Sequence, residues 1–148
     1  MPTQTNKHIA TQVLERAFNQ GDLSVIDQFV AVDGIDHQEP AGTDIRAHLK
    51  EVVTRMRTAM PDLHFEMHEI LSEGDLISFR ATMTGTHSGP FDTGMGRVLP
   101  PTGNKLSVPH MYILRFVDGK NTDLWHVWDT ASMMRQLGGM PQPQPMPR

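Results

Sequence analysis

Apolar residues recur along the chain with a helical period of about 3.6 as far as Pro61, and with a strand period of about 2 beyond it. Ile9, Val13, Leu14, Ala17 and Phe18 share one face of a first helix, which Thr5 or Asn6 caps and Gly21 ends. A short second helix starts at Asp22 and turns Val25, Ile26, Phe29 and Val30 to one side. The segment from Asp33 to Pro40 reads as a loop or a short strand. Thr43 or Asp44 caps a third helix with Ile45, Leu49, Val52, Val53, Met56 and Met60 as its buried stripe, and Pro61 stops it.

After Pro61, Leu63, Phe65 and Met67 alternate with His64, Glu66 and His68. A turn at Glu73-Gly74-Asp75 comes next, and then Ile77, Phe79, Ala81 and Met83 alternate with Ser78, Arg80, Thr82 and Thr84. Residues 88–105 are rich in glycine and proline and read as a long loop of the kind that serves as a lid. The next strand, Leu106 to Phe116, puts Leu106, Val108, His110, Tyr112, Leu114 and Phe116 on one face. A last strand from about Lys120 to Asp129 leads into a helical turn or two that closes at Gln136. Helices first and strands afterwards predict an α+β fold, with three N-terminal helices packed on a strongly curved antiparallel sheet. Residues 1–138 are expected to form one domain, and residues 139–148, with proline at alternate positions, a disordered tail.

The hairpin between the last two strands decides which residues meet. A two-residue type I′ turn at Asp118-Gly119 pairs Val117 with Lys120 and sets His110 opposite Val127. A three-residue loop, Val117-Asp118-Gly119, instead sets His110 opposite His126 and Tyr112 opposite Leu124. The second register is preferred, because it places Leu124, His126 and Trp128 on the apolar face and keeps Asp123 out of it.

Composition narrows the function classes. With 38% apolar and 20% charged residues, 148 residues suffice for one globular core. A net charge of -4 without any basic cluster argues against nucleic acid as a partner. The absence of cysteine removes disulfides, thiolate nucleophiles and cysteine zinc sites. No apolar run reaches membrane length and the N-terminus is polar, so a cytoplasmic protein without a membrane partner is expected. The glycine-rich stretch from Gly94 to Gly103 lacks phosphate-loop spacing. His64 and His68 are four apart but on a strand, which leaves them roughly 13 Å apart; no metal site and no cofactor are expected.

Six strings, in this order and spacing, resemble the SnoaL-like polyketide cyclase family. They are Ala17-Phe18-Asn19-Gln20-Gly21-Asp22, Met60-Pro61-Asp62-Leu63, Gly85-Thr86-His87-Ser88-Gly89, Pro100-Pro101-Thr102-Gly103, Val117-Asp118-Gly119-Lys120 and Arg135-Gln136-Leu137-Gly138. The resemblance implies the cone-shaped fold shared with nuclear transport factor, ketosteroid isomerase and scytalone dehydratase, with an apolar pocket. In the cyclases the last strand carries a catalytic Asp preceded by a His. Aligned on Asp129 and the Arg-Gln-Leu-Gly string, His126 stands at that Asp position, Leu124 at the His position, Tyr112 at a pocket histidine and His37 near a pocket asparagine. The frame is kept and the catalytic pair departs from the pattern.

These residues suit acid/base chemistry. An imidazole titrates near neutrality and can take a proton and return it, which makes His126 the candidate base. His110 beside it cannot comfortably share a second positive charge, so one ring is held neutral. Tyr112 is placed to donate to a carbonyl or enolate oxygen. Asp129 either fixes His126 or caps the last helix, and His37 and His87 are expected at the pocket rim. Phe18, Met56, Leu124 and Trp128 are expected to line the pocket. The expected function is cofactor-independent acid/base catalysis (cyclase, isomerase, dehydratase or hydratase type) on a small hydrophobic carbonyl or polyketide-like compound. The alternative is a non-catalytic small-molecule binding or dimerisation module. Relatives of this shape pair through the outer sheet face, here bearing His64, Glu66, His68, Arg80 and Arg115, so a homo-oligomer is expected.

Overall fold

In the computed structural model, which describes residues 3–138 of the chain, the helices pack on one face of a five-stranded sheet ordered β1-β7-β6-β3-β2. The strands are β1 (Val30–Asp36), β2 (His64–Glu73), β3 (Leu76–Thr86), β6 (Lys105–Val117) and β7 (Lys120–Trp128). A separate two-stranded hairpin, β4 (Phe91–Asp92) and β5 (Val98–Leu99), lies between β3 and β6 in the chain. All sheet neighbours are antiparallel except β1 and β7, which run parallel. No helix among the described residues is long and apolar enough to cross a membrane. The expected C-terminal tail, residues 139–148, lies outside the described residues.

Helix α1 (Thr3–Val13) passes directly into a π-helical stretch, Leu14–Asn19. It begins upstream of the expected caps, so Thr5 and Asn6 sit inside it, with Asn6 buried. Its C-terminal carbonyls are satisfied as expected: Gly21, at φ +75°, donates to Ala17, and Arg57 Nη1 donates to the carbonyls of Phe18 and Asn19. Asn19 then fastens this end to β2, its Oδ1 accepting from the Phe65 amide at 2.6 Å and its Nδ2 donating to the Phe65 carbonyl at 3.1 Å. Helix α2 (Ser24–Phe29) leads straight into β1, so the segment after Asp33 is partly strand. Asp44 caps α3 (Ile45–Ala59) by accepting from the Ala47 amide.

Two further joints close the frame. Asp62 accepts from both the amide and the hydroxyl of Thr86, holding the start of β2 against the end of β3. The amides of Ser88 and Gly89 donate to the carbonyl of Ala59, and a Cβ on Gly89 would collide with the Thr58 carbonyl, so only glycine permits this approach. Residues 88–105 are more ordered than a plain loop: Phe91 pairs with Leu99, and both side chains are buried.

The β6–β7 hairpin corrects the preferred register. Asp118 (φ 50°) and Gly119 (φ +76°) form the two-residue turn, so Val117 pairs with Lys120 and Phe116 with Asn121. Arg115 then pairs with Asp123, which leaves Thr122 as an extra residue in β7. This bulge restores the inward facing of Leu124, His126 and Trp128, but two residues out of the expected pairing. Tyr112 lies opposite His126, and His110 opposite Trp128. Buried Asn121 holds the bulge, its Nδ2 donating to the carbonyls of Arg115 at 3.0 Å and Asp123 at 2.8 Å.

Replacing Asn121 with Leu strands both carbonyls, which should lower unfolding free energy by about 1–3 kcal/mol in urea denaturation. An unchanged denaturation midpoint would show that the bulge holds without the amide.

Candidate active site

The concave side of the sheet and the helices enclose a cavity of about 320 Å³. Its apolar wall comes from every layer: Leu14 and Phe18 from the first helix, Leu49, Val52 and Met56 from α3, Phe65 and Phe79 from the sheet, and Phe91 from the hairpin. Phe18 and Phe65 meet edge to face at 5.0 Å, which couples the π-helical stretch to the sheet. Leu124 and Trp128 complete this wall on β7.

Set into the apolar surface are His110, Tyr112 and His126. Because Tyr112 lies opposite His126, the two rings stack at 4.1 Å and 4°. His110, one step along β6, reaches diagonally, and its Nδ1 lies 2.8 Å from His126 Nε2. Two neutral imidazoles fit this contact, one donating and the other accepting. Tyr112 Oη lies 3.4 Å from the same His110 nitrogen, a long contact that leaves the phenol free for another partner. His110 is further held by Phe65, edge on at 5.0 Å, and by the stacked Trp128 ring at 5.2 Å. Its Nε2 is buried without a hydrogen-bond partner among the described residues. The backbone amide of His126 donates to Gln38 Oε1 at 2.7 Å, which fixes β7 just beyond the end of β1.

Burial makes this cluster neutral. Desolvation pushes His110 down to about 3, with the neighbouring His126 adding to the shift, and pushes His126 down to about 4. Desolvation also raises Tyr112, keeping its hydroxyl proton in place. At neutral pH the site therefore holds two uncharged imidazoles and a phenol.

The other expected site residues have different surroundings. Asp129 caps α4 (Thr130–Gln136), accepting from the Ser132 amide at 2.9 Å. His37 is absent from the cavity wall: its Nε2 lies 2.9 Å from Asp123, and its ring stacks on Trp125 at 4.4 Å. The neighbours of His37, Asp36 at the end of β1 and Gln38 and Glu39 in the turn that follows, line the cavity in its place. His87 is fully buried outside the wall, bonded through Nδ1 to Thr102 and lowered in pKa by desolvation.

Sequence reasoning missed the polar groups at the helix side of the cavity. His48 and Arg55 of α3 both line it, and they flank the stripe of Leu49, Val52 and Met56 at helical spacing. That spacing was the available signal, because residues beside a buried stripe border whatever the stripe covers. Asp36, Glu39 and His48 are the one group of three metal-ligating side chains found among the described residues, with their atoms within 4.8 Å of one another. His48 Nε2 lies 3.0 Å from Glu39 and 3.8 Å from Asp36, within ion-pair distance of both carboxylates.

Comparison with known proteins leads to the same frame. A family model described as SnoaL-like polyketide cyclase matches residues 8–137. AclR from Streptomyces galilaeus, a candidate hydroxylase, is 29% identical with a TM-score of 0.80, over 97% of this chain and 87% of that one. IdmH from Streptomyces antibioticus, a candidate polyketide cyclase, is 30% identical with a TM-score of 0.73, over 91% of this chain and 99% of that one. TsrD from Streptomyces laurentii shares the fold with a TM-score of 0.82 at 24% identity, over 95% of this chain and 99% of that one. No curated protein matches.

The buried histidines carry a pH signature. Their folded pKa values lie below the unfolded value of about 6.5, so the unfolded chain binds more protons below that pH and is favoured there. Stability should be flat above pH 6.5 and fall below it, by up to roughly 1.4 kcal/mol per pH unit for each buried histidine. In urea titrations between pH 7.5 and 4.5, His110→Gln should flatten this slope by about one proton. A wild-type slope of zero across that range would contradict the neutral assignment.

Proposed function

The chain belongs to the SnoaL-like polyketide cyclase family, and on that premise we propose that it catalyses an acid/base reaction of a small hydrophobic carbonyl compound within the cavity. The observation that carries this reading is the 2.8 Å contact between His110 and His126 beside Tyr112 on an apolar wall. In the family the corresponding strand position holds an Asp, and a neutral imidazole can perform the same proton transfer without a buried negative charge.

In the proposed reaction His126 is the base. Its Nε2–H donates to His110 Nδ1, which directs the lone pair on the opposite His126 nitrogen, Nδ1, at a proton alpha to the substrate carbonyl. Taking that proton makes an imidazolium, whose bond to His110 becomes charge-assisted and about twice as strong as a neutral one. Tyr112, kept protonated by its burial, donates to the oxygen on which enolate charge develops. His126 then returns the proton to a different atom. Cyclisation, isomerisation and dehydration share this enolate step and differ in the fate of the enolate, while hydration runs the dehydration in reverse, forming the enolate by addition of water and then protonating it.

His126→Ala should lower kcat by at least ~100-fold, the range of a general base, with the protein still folded by circular dichroism. His126→Asp, which restores the residue type of the family pattern, should recover part of the activity. The acid limb of the wild-type kcat/KM profile should lie well below pH 6.5, where the depressed imidazoles take up protons. An alanine variant turning over at the wild-type rate would remove His126 from the mechanism.

A further inference from the structure

Arg55 is the cationic residue on the cavity wall that the proton-transfer reading leaves unused. Its side chain is only 21% exposed, a largely covered position for a permanent charge. Such a charge is costly unless protein or ligand groups replace the lost hydration. The other partly buried arginines are served in this way. Arg16 donates to Asp22, Arg46 to the Val30 carbonyl, Arg57 to two helix-end carbonyls, and Arg115 lies 3.3 Å from Asp75. Arg135 has partners as well.

Arg55 has no hydrogen-bond acceptor among the described residues. Its ion-pair contact is Glu51 one helical turn earlier, 4.0 Å away and 65% exposed, a pair of little strength. Asp92 of the hairpin also lines the cavity, but its Oδ1 accepts from the Gly94 amide instead. The backbone at Gly94, φ +77°, lies against the guanidinium, and a Cβ there would collide with Arg55 Nη1. The hairpin thus roofs the guanidinium without neutralising it. At the other end of the same α3 face, roughly 10 Å along the axis, His48 lies 3.0 Å from Glu39 and 3.8 Å from Asp36. One end of the cavity therefore carries Asp36 and Glu39, and the hairpin end, which includes Asp92, holds a planar donor without an acceptor.

We propose that Arg55 is the substrate-orienting residue of the cavity and binds a carboxylate carried by the ligand, so that the compound taken is a hydrophobic acid. A guanidinium matches a carboxylate with two parallel N–H donors, and the surrounding wall excludes the water that would compete. The carboxylates at Asp36 and Glu39 disfavour the reversed orientation. The inference rests on the cavity being the binding site of the function proposed above, and not on the proton transfer itself.

The test compares 2-naphthoate with its methyl ester, by isothermal titration calorimetry on the intact protein at pH 7.5. The wild type should bind the acid at least ~10-fold more tightly than the ester, the least expected of a charge-assisted pair. Arg55→Met keeps the apolar stem and removes the charge. It should erase this preference while leaving ester affinity within about twofold, and Arg55→Lys should restore part of it. His126→Ala should keep the preference, which separates failure of this inference from failure of the proton-transfer reading. Equal affinity for acid and ester, binding of neither, or a parallel loss of both in Arg55→Met would overturn the proposal.

Discussion

Thr122, the extra residue in β7, controls which side chains face the cavity. With the Asp118-Gly119 turn alone, the uninterrupted ladder would turn Trp125 and Val127 inward and His126 outward. The bulge reverses this, and Asn121 holds it by bonding the carbonyls on either side. The stack of Tyr112 on His126, the diagonal hydrogen bond to His110 and the burial that neutralises both imidazoles all depend on that offset. The same offset sends Asp123 and Trp125 outward, where they hold His37.

The rest of the fold protects this arrangement by fastening the helices to the sheet at a few polar joints. Asn19 holds the first helix to the Phe65 backbone, Asp62 ties β2 to Thr86, and Gly89 allows its strand end to dock on the end of α3. These residues lie within the strings that carry the family resemblance. The strings therefore report the joints of the frame. A neutral imidazole in an apolar cavity avoids the desolvation cost of a buried carboxylate, and its lowered pKa makes it correspondingly less basic.

Much of this was legible in the sequence, because alternation along β6 and β7 reports burial directly. Leu106 to Phe116 face inward at every second position, as the pattern required, and so do Leu124, His126 and Trp128. The bulge itself was not legible, since it depends on the Asn121 side chain reaching carbonyls that only the folded sheet brings near. His37 was not placed correctly because β1 ends at Asp36 and the chain turns there, so strand parity gives no facing for His37, Gln38 or Glu39, of which the last two line the cavity. On α3 the apolar stripe was plain, but the roles of His48 and Arg55 beside it depended on β1 and the hairpin closing over them.

A neutral, hydrogen-bonded pair of imidazoles is the state on which the proposed chemistry stands, and ring nitrogen chemical shifts report that state atom by atom. A long-range proton–nitrogen NMR spectrum, assigned with His110 and His126 variants and recorded from pH 7.5 to 5.5, measures it most directly. Both rings should stay neutral across this range, with His126 Nε2 protonated and His110 Nδ1 bare. A ring that becomes doubly protonated near pH 6.5, or two rings exchanging tautomers as free imidazoles do, would contradict the neutral pair.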